Sequence, residues 1–212
     1  GRGPLYRVHL NRLRRSLDPD SVPKHVAMMI DGNRRWARQL GFDSPADGHR
    51  AGAAKMREFL EWCDEVGVQV VSLYLLSNDN VTKRDSREIA DLIEIIAELA
   101  DELSRYRDWK VQHVGSTAGL PDGLGAVLDA AQERTKHNPG MHVNLAVGYG
   151  GRREIVDAVR SIIVAYDQEG GSLEELAASL TPETIGEHLY TGGQPDPDLV
   201  IRTSGEQRLS DF

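Results

Sequence analysis

The chain holds one cysteine in 212 residues, Cys63, which cannot close an intramolecular disulfide. A reducing compartment, read here as the cytoplasm, is therefore expected. No apolar run approaches the roughly 20 residues a membrane span needs. The longest candidates are strand-like pieces such as Val70 to Leu76, and the N-terminus lacks the apolar region of a signal peptide. Positive charge is in deficit: 25 Lys and Arg face 33 Asp and Glu, for a formal net charge of -8. That balance argues against a nucleic-acid partner, whose phosphates require a basic face, so any anion site must be local. Several catalytic signatures are missing as well. There is no Gly-x-x-x-x-Gly-Lys phosphate loop, no Gly-x-Ser-x-Gly elbow, no His-Glu-x-x-His or Cys-x-x-Cys metal pair, and no Asp-Asp-x-x-Asp cluster to hold diphosphate through magnesium.

What is present suits one α/β domain. Apolar, β-rich runs at Val26–Ile30, Val68–Leu76, Trp109–Val114, His142–Val147 and Leu199–Thr203 read as strands. Between them, helical periodicity covers Arg35–Leu40, Ala53–Val66, Leu124–His137 and Arg153–Tyr166. It is clearest between Ser86 and Tyr106, where Ile89, Leu92, Ile93, Ile96, Leu99 and Leu103 share a face behind Asp85 as cap and Glu88 three residues on. Thr181 and Pro182 read as an N-cap and first helical residue. Strand and helix in alternation imply a single, mostly parallel central sheet flanked by helices. Ligands of such sheets bind beyond the carboxyl ends of the strands. At the front, Arg2, Arg7, Arg12, Arg14 and Arg15 surround Leu5, Val8 and Leu13. This basic opening fits either contact with an anionic membrane surface or a solvated first helix.

Three strand ends combine glycine with arginine: Ile30 to Arg35, Val147 to Arg153 and Ile201 to Gly205. Glycines let backbone N–H groups approach an anion, and the guanidinium fork matches phosphate oxygens in pairs. For Gly148 to Gly151 a routine turn competes with that reading, because the third glycine of a dinucleotide fingerprint is absent. In Asp31 to Arg35, an acid and two bases fall within a few residues. Arginines opening a helix there meet its positive end, a repulsion that a multiply charged anion offsets.

The stretch from His25 to Ala37, the run Gly48-His49-Arg50-Ala51-Gly52, the loop Ser77-Asn78-Asp79-Asn80 and the tail Asp198 to Phe212 together resemble the cis-prenyltransferase family, best known from the undecaprenyl diphosphate synthases. The resemblance runs in order from Pro23 to Phe212. It implies a basic N-terminal helical extension over 1–22 and a catalytic domain over 23–212, with a C-terminal part of that domain beyond Phe212. It further implies condensation of isopentenyl diphosphate with an allylic diphosphate to form a Z double bond and release pyrophosphate. Asp31 would hold Mg2+, while Gly32, Asn33, Arg34, Arg35 and Trp36 would cradle the allylic diphosphate. Asn33 would also assist proton loss, and His49 would contact phosphate or relay a proton, unless it is a satisfied structural histidine. Ser77, Asn80 and Arg84 would belong to the substrate loop, and Arg202, Arg208 and Ser210 would hold isopentenyl diphosphate. The implied assembly is a homodimer, cytoplasmic, with contact at the inner face of the membrane.

The sequence departs from that pattern in places. The stretch 42–47 carries Asp43 and Asp47 where the family has a further arginine, Asp79 replaces the usual Glu, and Val81 the usual Trp. The chain would grow into an apolar tunnel, where Leu75 occupies a position at which long-chain members carry alanine. Leu75 is thus either an ordinary core leucine or a wall that limits the product to a short chain, (2Z,6E)-farnesyl diphosphate made from geranyl diphosphate. A medium- or long-chain synthase and a non-catalytic partner subunit of the same fold are the alternatives.

Overall fold

The structure, a computed structural model, describes residues 16–30, 45–78 and 86–204. After a 3-10 turn at Pro19–Ser21, strand β1 (His25–Met29) leads towards helix α1 (Pro45–Val66). There follow β2 (Val70–Ser77), α2 (Ser86–Arg105), β3 (Lys110–Val114), α3 (Asp122–Thr135), β4 (His142–Tyr149), α4 (Gly151–Glu169), α5 (Leu173–Ser179), α6 (Pro182–His188) and β5 (Leu199–Arg202). The strands form one sheet in the order β3-β4-β2-β1-β5, and every pairing is parallel. The expected architecture is therefore present.

Central β2 is buried along nearly its whole length, as a parallel strand covered on both faces must be. One face presents Val26 and Met28, Leu73 and Leu75, Val111, Val143 and Leu145 to the main core. The apolar stripes of α1 (Met56, Leu60, Cys63), α2 (Leu92, Ile96, Leu99, Leu103) and α3 (Leu124, Leu128) complete that core. The basic N-terminal extension and the helix read at Arg35–Leu40 fall mostly or wholly outside the described residues.

Two helices differ from the sequence reading. Helix α1 starts at Pro45, ahead of the expected Ala53. Its opening Pro-Ala-Asp-Gly carries no apolar stripe for periodicity to detect, although proline in a first turn is itself a start signal. Helix α5 was not anticipated. Ser172 and Glu175 form its capping box, a local signal that was legible.

The other face of the sheet holds a polar row. His25, Ser72, Asn144 and Gln112 come from four adjacent strands, and Gln194 lies over them. His25 Nδ1 is 2.7 Å from Pro195 O, which can only accept, so in neutral His25 this nitrogen carries the proton. Nε2 then accepts from Ser72 Oγ at 2.8 Å. Asn144 Nδ2 donates to Ser72 Oγ at 3.0 Å and to Gln194 Oε1 at 2.6 Å, and Gln112 Nε2 donates to Tyr190 O at 3.0 Å. The segment 190–195 is thereby fastened over the sheet.

Cys63 lies in the main core, and burial, followed by the nearby Asp64 charge, pushes its thiol up to about 12. A protonated, covered thiol is a poor nucleophile. An aromatic disulfide reagent at pH 8 is accordingly expected to leave the folded protein unmodified and to titrate one thiol in guanidinium. Rapid reaction of the native protein would contradict this burial.

Candidate active site

Strand β1 lies between β2 and β5, and at its last rung Met29 stands opposite Tyr74 on one side and Arg202 on the other. The Ile30 N–H donates to Tyr74 O at 3.2 Å, and the Thr203 N–H donates to Met29 O at 3.1 Å. Ser77, the buried last residue of β2, pairs with Tyr149 at the end of β4. Four carboxyl ends thus line one rim in the order Tyr149, Ser77, Ile30, Arg202. Half-buried Arg202 and buried Ser77 are both engaged with neighbours.

Asp31, Gly32, Asn33, Arg34, Arg35 and Trp36 lie outside the described residues, as do Asn80 and Arg84, and Arg208 and Ser210. The chain enters those three segments at the carboxyl ends of β1, β2 and β5, which are neighbours. His49 lies in α1. Leu75 is buried in the main core with Met56 and Leu60 of α1 and Ile96 of α2. Register therefore brings together Ser77, the departure point of 31–44 and Arg202. Among the described residues no group of three or more His, Cys, Asp or Glu is arranged to hold a metal.

The third glycine and arginine strand end is separated from β1 by β2. Its glycine has a steric origin: Gly148 has φ 63°, and a Cβ there would stand 2.2 Å from Ser116 O. Beyond it, Arg153 pairs with Asp157 along α4 at 3.0 Å, so the turn reading accounts for these two residues.

The sequence reading missed an aromatic and acidic group beside this turn. The Tyr149 ring packs edge-on against Tyr74 at 5.2 Å and stands 6.5 Å from Tyr190. Buried Glu154 accepts from the Tyr149 hydroxyl and from the Tyr190 N–H, while the Tyr190 hydroxyl donates to Asp157 at 2.6 Å. Burial, and then these carboxylates, raise both phenols, so they remain protonated donors at neutral pH. A Glu in the first turn of a helix is too ordinary for sequence to flag; only the fold shows that it is buried.

Over residues 29–212 the chain matches the model of the family described as "Putative undecaprenyl diphosphate synthase". It is 53% identical over 209 residues to a (2Z,6E)-farnesyl diphosphate synthase of Thermobifida fusca, covering 99% of this chain and 82% of that protein. To the protein of that name in Mycobacterium tuberculosis it is 49% identical over 212 residues, covering 99% and 80%. Among solved structures, lavandulyl diphosphate synthase from Lavandula x intermedia, in complex with dimethylallyl diphosphate, is similar with a TM-score of 0.81 and 32% identity, covering 91% of this chain and 82% of that one.

Proposed function

The chain belongs to the undecaprenyl diphosphate synthase family, the cis-prenyltransferases, and we propose that it condenses isopentenyl diphosphate with geranyl diphosphate to give (2Z,6E)-farnesyl diphosphate and pyrophosphate. The observation that carries this reading is the shared rim: the motif-bearing segments 31–44, 79–85 and 205–212 are entered from three adjacent strands. The names of the relatives from Thermobifida fusca and Mycobacterium tuberculosis support the short-chain product.

In the proposed reaction the allylic C–O bond breaks and its electron pair leaves with pyrophosphate. The terminal alkene carbon of isopentenyl diphosphate bonds to the allylic carbon, and a proton is lost to form the new double bond. Amides of Gly32 and Asn33 and the guanidinium groups of Arg34 and Arg35 face charge that grows as the bond ionises, so they stabilise the transition state more than the ground state. Asn33 assists proton removal, His49 contacts phosphate or relays a proton, Trp36 and the loop residues Ser77, Asn80 and Arg84 help seat the substrates, and Arg202, Arg208 and Ser210 hold the second diphosphate. Magnesium, when bound, neutralises pyrophosphate charge. It commonly uses one or two carboxylates plus substrate phosphates, a donor set that Asp31 fits.

Leu75 is read as the wall that stops elongation. Each further isoprene unit gains about 4 kcal/mol by burying five carbons at roughly 0.8 each, and overpacking costs about 1–3 kcal/mol and occasionally more, so a leucine wall removes most of that gain. Leu75→Ala is expected to shift the product to longer chains, read by chromatography of the dephosphorylated alcohols. An unchanged product length would remove Leu75 from this role.

The assembly is read as a homodimer, for which exposed Ile155, Val156, Ile163 and Val164 on α4 offer apolar surface. A peripheral place at the inner membrane face rests on the basic residues of 1–15. No helix among the described residues is long and apolar enough to cross a membrane. The function is tested by incubating the protein with geranyl diphosphate, radiolabelled isopentenyl diphosphate and Mg2+. A C15 product is expected, and absence of incorporation would favour a non-catalytic partner subunit.

A further inference from the structure

Strand β5 is weakly specified. It is four residues long, its one described partner is β1, and it leaves Leu199 and Val200 exposed. Neither length nor a well-buried face fixes its register strongly. Yet register decides where Arg202 stands: opposite Met29 in the observed pairing, but on the other face of the sheet after a slip of one residue.

A carboxylate grips the entrance to this strand. Asp198 Oδ2 accepts from the Lys24 N–H at 2.9 Å and Oδ1 from the His25 N–H at 3.0 Å, while the Asp198 N–H donates to His25 O at 3.1 Å. The Lys24 and His25 amides hold the Asp198 carboxyl below the usual carboxylate range. Just upstream, Pro195 O meets His25 Nδ1 and Gln194 meets Asn144, so the approaching chain is already fastened to the sheet. A slip of one residue would carry Asp198 about 3.3 Å along the strand and break both carboxylate bonds.

We propose that Asp198 is a positioning residue whose two-pronged grip on the Lys24 and His25 amides sets the register of β5 on β1 and so delivers Arg202 to the isopentenyl diphosphate half of the rim. The catalytic half of this inference rests on the proposed reaction; the register half does not. Steady-state kinetics of Asp198→Ala should show the KM for isopentenyl diphosphate raised about tenfold or more, with the KM for geranyl diphosphate within about twofold of wild type. Asp198→Asn, which keeps its size and one accepting oxygen, should fall between. In an Arg202→Ala background, Asp198→Ala should add nothing to the KM for isopentenyl diphosphate, because both changes remove the same contact. Hydrogen exchange should show faster exchange at Lys24, His25 and 199–202, with β3 and β4 unchanged; where the alanine variant does not fold, Asp198→Asn carries the same comparison. Equal shifts in both KM values, additivity with Arg202→Ala, or unchanged exchange at β1 and β5 would overturn the proposal. A wild-type protein that turns over neither substrate would instead overturn the reaction, leaving exchange to decide the register.

Discussion

Asp31→Ala is expected to lower kcat by about 10²–10³-fold, comparable with removing one group aimed at developing charge in other enzymes, while leaving the fold intact. Asp31 directly follows Ile30, whose N–H makes the last hydrogen bond from β1 to β2 among the described residues. The main core and the polar row are built from other residues, all of them described, so the sheet is expected to survive loss of the carboxylate. Its proposed work is at the departing pyrophosphate, where negative charge accumulates only as the allylic bond breaks. Loss of such a group falls on kcat more than on substrate affinity. Single-turnover rates with geranyl diphosphate, beside a thermal melt, separate the two effects. A variant with kcat within about threefold of wild type, well short of that range, would remove Asp31 from the chemistry.

Asn144→Leu is expected to destabilise the protein by about 2–4 kcal/mol, because the cost of burying orphaned partners outweighs the apolar gain. Asn144 has no exposed surface and bonds both Ser72 and Gln194, donating to each and accepting from Gln194 Nε2 at 3.2 Å. With leucine in its place, Gln194 keeps only its long contact to Gln112, at 3.3 Å, and Ser72 keeps only His25. Equilibrium urea denaturation measures the loss. Asn144→Leu combined with Gln194→Leu should recover part of it, since replacing both partners leaves fewer unsatisfied groups. A single variant within about 0.5 kcal/mol of wild type would show that water satisfies these groups instead.

Acid should weaken the fold through the carboxylates whose native partners favour the charged form. Asp101 beside Arg105, Asp157 beneath the Tyr190 hydroxyl and Asp198 on two amides are all held below the ordinary carboxylate range. Their stabilisation is present above the unfolded value of about 3.9 and fades as pH falls through the lower folded values.

Much of the secondary structure was legible because single strands and helices advertise themselves locally. The apolar stripe of α2 and the continuous apolar run of β2 are one-dimensional signals. So is the Thr181 cap with Pro182 behind it, which the structure reproduces. The first turns of α1 were missed because a helix without an apolar stripe has no period to count. The polar row was invisible for a different reason. His25, Ser72 and Asn144 look like isolated polar residues in apolar runs, and nothing local says that they meet.

The sequence by itself determined most of the element types and the parallel sheet, and it supplied the residues proposed to hold diphosphate, since periodicity, glycine and charge are properties of short segments. Tertiary structure decided which segments are neighbours. Strands consecutive in the chain are reordered in the sheet as β3-β4-β2-β1-β5, placing Ile30 between Ser77 and Arg202 and leaving the Gly148 turn further along the rim. Parallel strands joined by helical crossovers can take several orders with the same local pattern, and only collective packing on both faces, with side chains alternating in register, selects one of them.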